Sequence, residues 1–194
     1  KAQVALLSEE LFREKLDNGD ISLRLLASDS AQLNWELAQT LEISVAEHDQ
    51  VLRRKDGSEL ERSLFEKIYK NGLNNLEQET AWYLDKHESV YWWHRIAVNQ
   101  REYSLQGWQK QKIYPDLLVC VEEPINGQYR FSVLETKGEH LKGNDDTEYK
   151  RCLFELLTKH VKTAVDAGEI TIEAASGGIS FKMLMQDNWS QEII

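Results

Sequence analysis

Three charged side chains flank two apolar, strand-like segments in the middle of the chain. Asp116 follows Pro115 at the start of the first segment, and Glu135 and Lys137 close the second. Unpaired buried charges are costly, so such a group must either neutralise itself or bind a cation. Mg²⁺ takes oxygen ligands, often one or two carboxylates completed by water and substrate phosphate. A lysine beside that ion could hold or deprotonate an attacking water, which is the chemistry of phosphodiester hydrolysis.

The two segments are predicted to pair as a β-hairpin. Asn126-Gly127 lies between them, and both residues tolerate the positive φ that a type I′ turn requires. A turn centred on this pair places Asp116 opposite Lys137. It likewise places Glu135 opposite Leu118. Because opposed side chains point to the same side of a sheet, the acids and the lysine are expected to share one face.

Alternation along the two strands predicts which side chains lie together. The face with the charged residues also carries Leu118, Cys120 and Val133, and the opposite face carries Leu117, Val119, Val121 and Leu134. Since both faces are largely apolar, the hairpin is predicted to lie inside a sheet that is covered on both sides.

A helix predicted at residues 73–86 brings a further acid towards these strands. At 100° per residue, one of its faces carries Leu73, Leu76, Glu77, Thr80, Ala81 and Leu84. Glu77 lies near the middle of that face, whereas Glu79 points the other way. A lone glutamate there needs a partner, which favours Glu77 as a site residue. The alternative is that the apolar stripe tolerates Glu77 at its edge.

The motif residues resemble those of a known enzyme superfamily. Pro115-Asp116, followed after a hairpin-length gap by Glu135-Thr136-Lys137, is similar to the PD-(D/E)xK nuclease motif. Tyr-Pro-Asp and the later Leu-Glu-Thr-Lys-Gly-Glu-His-Leu resemble the C-terminal endonuclease domain of type III restriction-enzyme helicase subunits and related defence helicases. The resemblance covers roughly residues 60–165. It implies an α/β fold with a mixed central β-sheet flanked by helices, as in restriction endonucleases.

The resemblance also implies a metal-dependent DNA endonuclease and assigns its residues. Asp116 and Glu135 would bind Mg²⁺, for which Mn²⁺ is expected to substitute, and the Thr136 carbonyl would add a ligand. Lys137 would position or deprotonate the attacking water. The superfamily places an acid on the helix before the first core strand, and that role falls on Glu77. The expected partners are double-stranded DNA, a helicase or other ATPase domain or subunit, and a modification subunit.

Three lysines are candidate DNA contacts. Lys110 and Lys112 come just before the Pro-Asp pair, where they could reach phosphate. Lys150 falls on the edge of the inward face of a helix predicted to start at Asp145 or Asp146 and to run to about residue 166. For each lysine the alternative is a side chain that only faces solvent.

The overall charge is the main observation against a simple nucleic-acid binder. The chain of 194 residues has a formal net charge of −10, whereas nucleic-acid-binding domains are usually basic. Metal-dependent nucleases concentrate acids at the site, however, and a DNA-handling partner could supply the basic surface. The competing function is a non-catalytic DNA-binding or scaffolding module that keeps the nuclease fold.

Several other classes of protein are excluded by missing motifs. The sequence has no GxxxxGK[ST] or GxGxxG loop, no HExxH or zinc-type Cys/His spacing and no Gly-x-Ser-x-Gly elbow. No run approaches 18 apolar residues and no export signal is evident, so no membrane or export targeting is expected. Cys120 in a strand and Cys152 in a helix are expected to be free thiols in a reducing cytoplasm. Since the first residue is Lys, we expect a part of a longer protein.

The chain is predicted to divide into a mainly helical N-terminal connecting subdomain, residues 1–58, and a restriction-endonuclease-like domain, residues 59–194. Further helices are predicted at residues 4–16, 30–41 and 60–69, the first with an apolar stripe of Val4, Leu7, Leu11 and Phe12. Strands besides the hairpin are predicted at residues 89–98, 170–173 and 179–185, and a short strand with a turn around Gly107-Trp108 is predicted at residues 101–111.

Overall fold

The computed structural model describes residues 2–20, 45–96, 104–123, 128–160 and 179–194. The helices in this part of the chain are α1 (Ala2–Asp17), α2 (Asn75–Lys86), α3 (Asp145–His160) and α4 (Trp189–Glu192). The strands are β1 (Val90–Arg95), β2 (Leu117–Glu123), β3 (Gln128–Lys137) and β4 (Ile179–Met185). Short 3₁₀-helices at Lys70–Gly72 and Glu139–Leu141 precede α2 and α3. No helix among those described combines the length and the apolar character that crossing a bilayer requires.

The described strands form one mixed sheet in the order β1-β2-β3-β4. β1 and β3 each pair antiparallel with β2, and β4 pairs parallel with β3. A parallel pair needs a crossover connection, and α3 lies in the chain between β3 and β4. With helices packed on the sheet and α1 ahead of it in the chain, the molecule has the predicted α/β fold with a mixed central sheet.

Both faces of the sheet are buried, as predicted, and each is covered by a different helix. Leu118, Cys120 and Val133 share one core with Leu153, Phe154 and Leu157 of α3. The opposite core contains Leu117, Val119, Val121 and Leu134 together with Ala81 and Leu84 of α2. The alternation predicted for the hairpin is therefore confirmed.

The predicted register of the hairpin is wrong. Leu118 lies opposite Val133 instead of Glu135. Continuing the ladder by one pair sets Asp116 beside Glu135, and not opposite Lys137 as predicted. The shift is two residues, and it keeps every side chain on its predicted face because the side-chain period of a strand is two.

The cause of the register error lies at the connection between the strands. The ladder of β2 and β3 closes at Glu123 and Gln128, which leaves residues 124–127 to join them. The prediction instead assumed a two-residue turn at Asn126-Gly127, which moved every pair by two positions. The connecting residues themselves lie outside the described part of the chain.

Residues 60–69 do not form the predicted helix. The backbone here runs beside β1, where Trp93 N–H donates to Arg62 O at 2.8 Å and Leu64 N–H donates to Trp93 O at 2.7 Å. These long-range hydrogen bonds satisfy the backbone in an extended form. Tertiary pairing therefore overrides the local helical pattern, which is only a weak preference.

Asp85 of α2 holds this extended segment against the sheet. Its fully buried carboxylate accepts hydrogen bonds from Arg54 Nε at 2.6 Å, Arg62 N at 2.9 Å and Trp93 Nε1 at 3.1 Å. Burial alone would raise the pKa of Asp85, but these donors hold the pKa below its usual range. The carboxylate therefore stays charged and ties separate parts of the chain together.

α1 confirms the helix predicted at residues 4–16, but its apolar stripe is only partly covered. Phe12 packs on Trp108, with ring centroids 5.7 Å apart. Val4 and Leu7, from the same stripe, are exposed. The C-terminal half of α1 is therefore the half that contacts the body of the molecule.

The predicted domain boundary at residue 58 stays a prediction. Leu52, on the N-terminal side of that boundary, is buried in the same core as α2. Lys55 Nζ also donates to Glu79 Oε2 of α2 at 2.6 Å. The helix predicted at residues 30–41 lies outside the described residues.

The remaining predicted strands have different outcomes. β1 and β4 confirm the strands predicted at residues 89–98 and 179–185. For residues 101–111 the predicted turn around Gly107-Trp108 is confirmed, because Leu105 makes an antiparallel bridge with Ile113. The strand predicted with it is reduced to that isolated bridge in the part that is described. The strand predicted at residues 170–173 lies outside the described residues.

The cap of α3 differs from the prediction. Asn144 Oδ1 accepts a hydrogen bond from Thr147 N–H at 2.7 Å, so Asn144 is the cap instead of Asp145 or Asp146. The two aspartates occupy the first turn, where negative charge interacts favourably with the helix dipole. The predicted end near residue 166 lies outside the described residues.

Candidate active site

Four elements supply the predicted site residues. Asp116 directly precedes β2, Glu135 and Lys137 belong to the end of β3, Lys150 lies near the start of α3, and Glu77 lies in the first turn of α2. Because β2 and β3 are antiparallel, the end of β3 lies beside the start of β2. The fold thus brings the two acids together from positions that are distant in sequence.

Thr136 fixes the Asp116 carboxylate. Asp116 Oδ2 accepts the Thr136 backbone N–H at 2.6 Å and the Thr136 hydroxyl at 2.8 Å. Burial, followed by the negative charges of Glu135 and Glu77, raises the pKa of Asp116 to about 7. The two hydrogen bonds from Thr136 act in the opposite direction and do not offset this rise. A charged Asp116 is therefore stabilised by any cation that enters the site.

Glu135 is the most deeply buried acid of the site, with 3% of its surface exposed. Its Oε1 accepts a hydrogen bond from Lys150 Nζ at 2.7 Å and forms an ion pair with Lys137 Nζ at 2.9 Å. Its Oε2 is also buried, and no donor from the described residues reaches it. A buried carboxylate oxygen without a donor is costly, so Oε2 is the atom of this site that most needs a ligand.

The lysines Lys137 and Lys150 converge on this carboxylate from different elements. Both are largely buried, with 13% and 17% of the side chain exposed. Asp146 Oδ2 lies 3.8 Å from Lys137 Nζ and 3.5 Å from Lys150 Nζ. Burial alone would lower the pKa of Lys150, but the charge of Glu135 and its hydrogen bond raise it. Lys150 therefore carries its full positive charge at neutral pH.

Glu77 has a local structural role that the sequence pattern could have revealed. Its carboxylate accepts the Asn74 N–H at 2.9 Å, and Asn74 Oδ1 accepts the Glu77 N–H at 2.9 Å, which is a capping box. Asn followed three residues later by Glu is the sequence signature of this motif. The negative charge of Glu77 nevertheless reaches Asp116 and raises its pKa. Glu77 is therefore both a helix cap and a charge near the site.

The loop that carries Lys110 and Lys112 is anchored on α3. Both lysines are exposed. Trp108 packs edge-on against Tyr149, with ring centroids 4.9 Å apart. At Gly107 an added Cβ would lie 2.5 Å from Tyr149 Oη, so any larger residue here would require the loop or the side chains of α3 to shift. Contact of Lys110 and Lys112 with DNA stays a prediction.

The donors of the site fit a divalent cation that completes its shell with water and phosphate. Within the described ranges, no group of three or more His, Cys, Asp and Glu side chains forms a ready-made metal site. Mg²⁺ does not require one, since it is usually bound through one or two carboxylates. Glu135 and Asp116 supply two such carboxylates. Oε2 of Glu135 has no hydrogen-bond donor among the described residues, and the raised pKa of Asp116 indicates that a nearby positive charge would favour its ionised form. Asp116, Glu135, the Thr136 carbonyl and Glu77 remain the predicted ligands.

No family model, curated protein or solved structure matches this chain. The resemblance to PD-(D/E)xK nucleases therefore stays a prediction that rests on the motif residues and on the geometry described above.

Proposed function

We propose that this chain is a Mg²⁺-dependent endonuclease module that hydrolyses phosphodiester bonds of double-stranded DNA, as part of a restriction or antiviral defence helicase-nuclease. The observation that carries the proposal is the pairing of Asp116 with Glu135 at the ends of two adjacent strands. One of these acids has a buried oxygen without a donor, and the other has a pKa raised to about 7. These two properties support the proposal that a cation binds at this site.

Asp116 and Glu135 would hold the cation, with the Thr136 carbonyl as a further ligand and Glu77 as a supporting charge. The cation would stabilise the negative charge that develops on the phosphate during hydrolysis. Thr136 keeps Asp116 in place through the two hydrogen bonds to Oδ2. The buried position of the acids lowers the local dielectric, which strengthens each of these interactions.

Lys137 would orient the attacking water as an ammonium group, or accept its proton as the neutral amine. Its Nζ lies at the end of β3 and forms an ion pair with Glu135 Oε1 at 2.9 Å. Lys110 and Lys112 are exposed on the loop held by α3, and would contact the DNA backbone as positive charges.

The net charge of −10 indicates that partners deliver the DNA. A helicase or other ATPase, with or without a modification subunit, would supply the basic surface for DNA, because the net charge of this chain is negative. Both cysteines are free thiols, Cys120 buried and Cys152 partly exposed. Free thiols favour a cytoplasmic location.

One observation favours the competing function of a non-catalytic DNA-binding or scaffolding module. Two lysines already neutralise Glu135 without any metal. A protein that had lost catalysis could keep this network as a structural ion-pair cluster. Such a module would retain DNA in the presence of EDTA and would release no cleavage product.

The test is cleavage of supercoiled and linear duplex DNA with Mg²⁺ and with EDTA. Asp116→Asn and Glu135→Gln should abolish cleavage and leave the circular dichroism spectrum unchanged. Glu139→Gln is the matched control, because Glu139 is an exposed acid two residues after Lys137 and outside the site. Cleavage by Glu135→Gln at the wild-type rate, or cleavage by the wild type in excess EDTA, would refute the proposal.

A further inference from the structure

Two cations from different elements share a single oxygen of Glu135. Lys137 Nζ and Lys150 Nζ lie 2.9 Å and 2.7 Å from Oε1, and no described donor reaches Oε2. The other acid near them, Asp146, is 62% exposed and lies at 3.5 Å or more, so water screens its attraction. One ammonium group is enough to neutralise one buried carboxylate, so the second is available for another role.

The two lysines differ in how firmly they are held. Lys150 is flanked on α3 by Tyr149 and lies one turn before Leu153, and both of these residues are buried in the core. Lys150 Nζ donates a hydrogen bond to Oε1 at 2.7 Å, whereas Lys137 Nζ lies 2.9 Å from the same oxygen as an ion pair. Lys150 is thus the hydrogen-bonded partner of Glu135, and Lys137 is a second positive charge beside it.

We infer that Lys150 is a positioning residue that holds Glu135 Oε1, so that Oε2 is left for the divalent cation and Lys137 can leave Glu135 for the attacking water. The inference rests on the proposed function and replaces the predicted DNA contact of Lys150 by a contact with the buried acid. It explains why both lysines contact Glu135 Oε1 and neither contacts Oε2.

The identity of the residue matters in this arrangement. A lysine ammonium is a point donor and can bond to one carboxylate oxygen alone. An arginine fork tends to bind both oxygens of a carboxylate. Lys150→Arg should therefore keep the charge but also occupy Oε2, the oxygen that the cation requires.

The contact between Lys150 and Glu135 can be tested in metal-free protein by a double-mutant cycle. In EDTA, Lys150→Met should lower the Tm by about 2–4 °C in the wild-type background. In the Glu135→Gln background the same change should lower the Tm by less than about 1 °C, because the buried charge is gone. An equal loss in both backgrounds would show that Lys150 acts only through the packing of its stem, and would overturn the inference.

The positioning role predicts a specific kinetic pattern with duplex DNA and Mg²⁺. Lys150→Met should lower kcat about 100-fold, as expected for misplaced catalytic groups, and leave KM for DNA and its salt dependence unchanged. Lys142→Met is the control, because Lys142 is exposed and pairs with Asp187 at 3.4 Å. A raised KM with an unchanged kcat and a shallower salt dependence would identify Lys150 as a phosphate contact and would refute the inference.

Metal binding gives a readout that does not depend on cleavage. Titration with Mn²⁺ alone should show about tenfold weaker binding to Lys150→Arg than to wild type, while the Tm of this variant in EDTA stays close to that of wild type. Mn²⁺ affinity and cleavage equal to wild type in Lys150→Arg would contradict the assignment of Oε2 to the cation.

The experiments separate failure of this inference from failure of the proposed function. If wild type neither cleaves DNA nor binds Mn²⁺, the nuclease proposal fails, and the metal-free cycle still decides whether Lys150 supports Glu135. If wild type cleaves and Lys150→Met keeps its kcat, the nuclease proposal holds and the positioning role of Lys150 is refuted.

Discussion

At the scale of single residues, Asp116 makes the metal-free protein sensitive to pH. Its ordinary pKa is 3.8, and burial together with Glu135 and Glu77 raises the pKa to about 7 in the folded state. The folded state therefore binds a proton more tightly than the unfolded chain does. The stability contributed by protonated Asp116 is fully present below about pH 4 and is lost as the pH rises through about 7.

Asp116→Asn should remove this loss, because an amide keeps an acceptor for Thr136 and cannot ionise. In EDTA, the variant should unfold at a Tm several degrees above that of wild type at pH 8. The difference should shrink steadily as the pH is lowered to about 4. Thermal unfolding followed by circular dichroism at several pH values measures it.

The exposed Asp187→Asn is the control and should show no such trend. A difference between Asp116→Asn and wild type that does not change between pH 4 and pH 8 would contradict the raised pKa of Asp116.

The site residues were predictable from the sequence to different degrees. Asp116, Glu135 and Lys137 lie in a short motif, and the ion pair between Glu135 and Lys137 agrees with the strand alternation that placed these two on one face. The capping role of Glu77 was readable from Asn74 but was overlooked. The bond between Lys150 and Glu135 was not readable, because it depends on where α3 lies on the sheet, which no local pattern encodes.

At the scale of elements, sequence patterns predicted those helices and strands whose bounds are set by interactions within the element. α1, α2 and β4 follow their predicted bounds closely, because periodicity and caps act within each element. The helix predicted at residues 60–69 failed because Trp93 and Asp85, both distant in sequence, supply the hydrogen bonds that hold this segment extended. The hairpin register failed because the connection, residues 124–127, is centred one residue earlier than the assumed turn at Asn126-Gly127.

The close approach of the loop to α3 gives an element-scale prediction. In Gly107→Ala the new Cβ would meet Tyr149 Oη at 2.5 Å and Leu153 Cδ2 at 2.8 Å, so the loop or the helix must shift. Overpacking of this kind typically costs about 1–3 kcal/mol in the free energy of unfolding. Urea unfolding of the variant measures the cost, and cleavage assays should show a lower kcat, because Lys150 directly follows Tyr149 on the displaced helix.

Gly72→Ala provides the matched control for this substitution. Its Cβ would lie 3.5 Å from the Arg95 guanidinium, which is an ordinary contact. A loss of stability in Gly72→Ala as large as that in Gly107→Ala would show that the crowding between the loop and α3 is not the cause.

At the scale of the whole molecule, the net charge of −10 predicts weak DNA binding by this chain alone. Phosphate contacts supply most non-specific affinity for DNA, and each contact steepens the dependence on salt. The isolated chain should therefore bind duplex DNA weakly at physiological salt and nick it slowly or not at all with Mg²⁺. Joined to a helicase or ATPase partner and supplied with ATP, it should cleave faster.

Fluorescence anisotropy with labelled duplex DNA at several salt concentrations tests this expectation. Tight binding by the isolated chain at physiological salt would contradict delivery by a partner and would indicate a basic surface that the folded structure assembles from scattered lysines and arginines.

The segment at residues 60–69, which runs beside β1, also affects whether copies of this protein aggregate with one another. β1 is the outermost strand on its side of the described sheet, and an open outer strand is a template for aggregation. Ser63 covers that strand through a parallel bridge with Trp93. Asp85 accepts a hydrogen bond from the backbone N–H of Arg62 in the same covering segment. Backbone hydrogen bonds to Trp93 and the buried carboxylate of Asp85 thus hold the covering segment together. Loss of Asp85 is therefore expected to expose β1 and to lower the solubility of the protein as well as its stability.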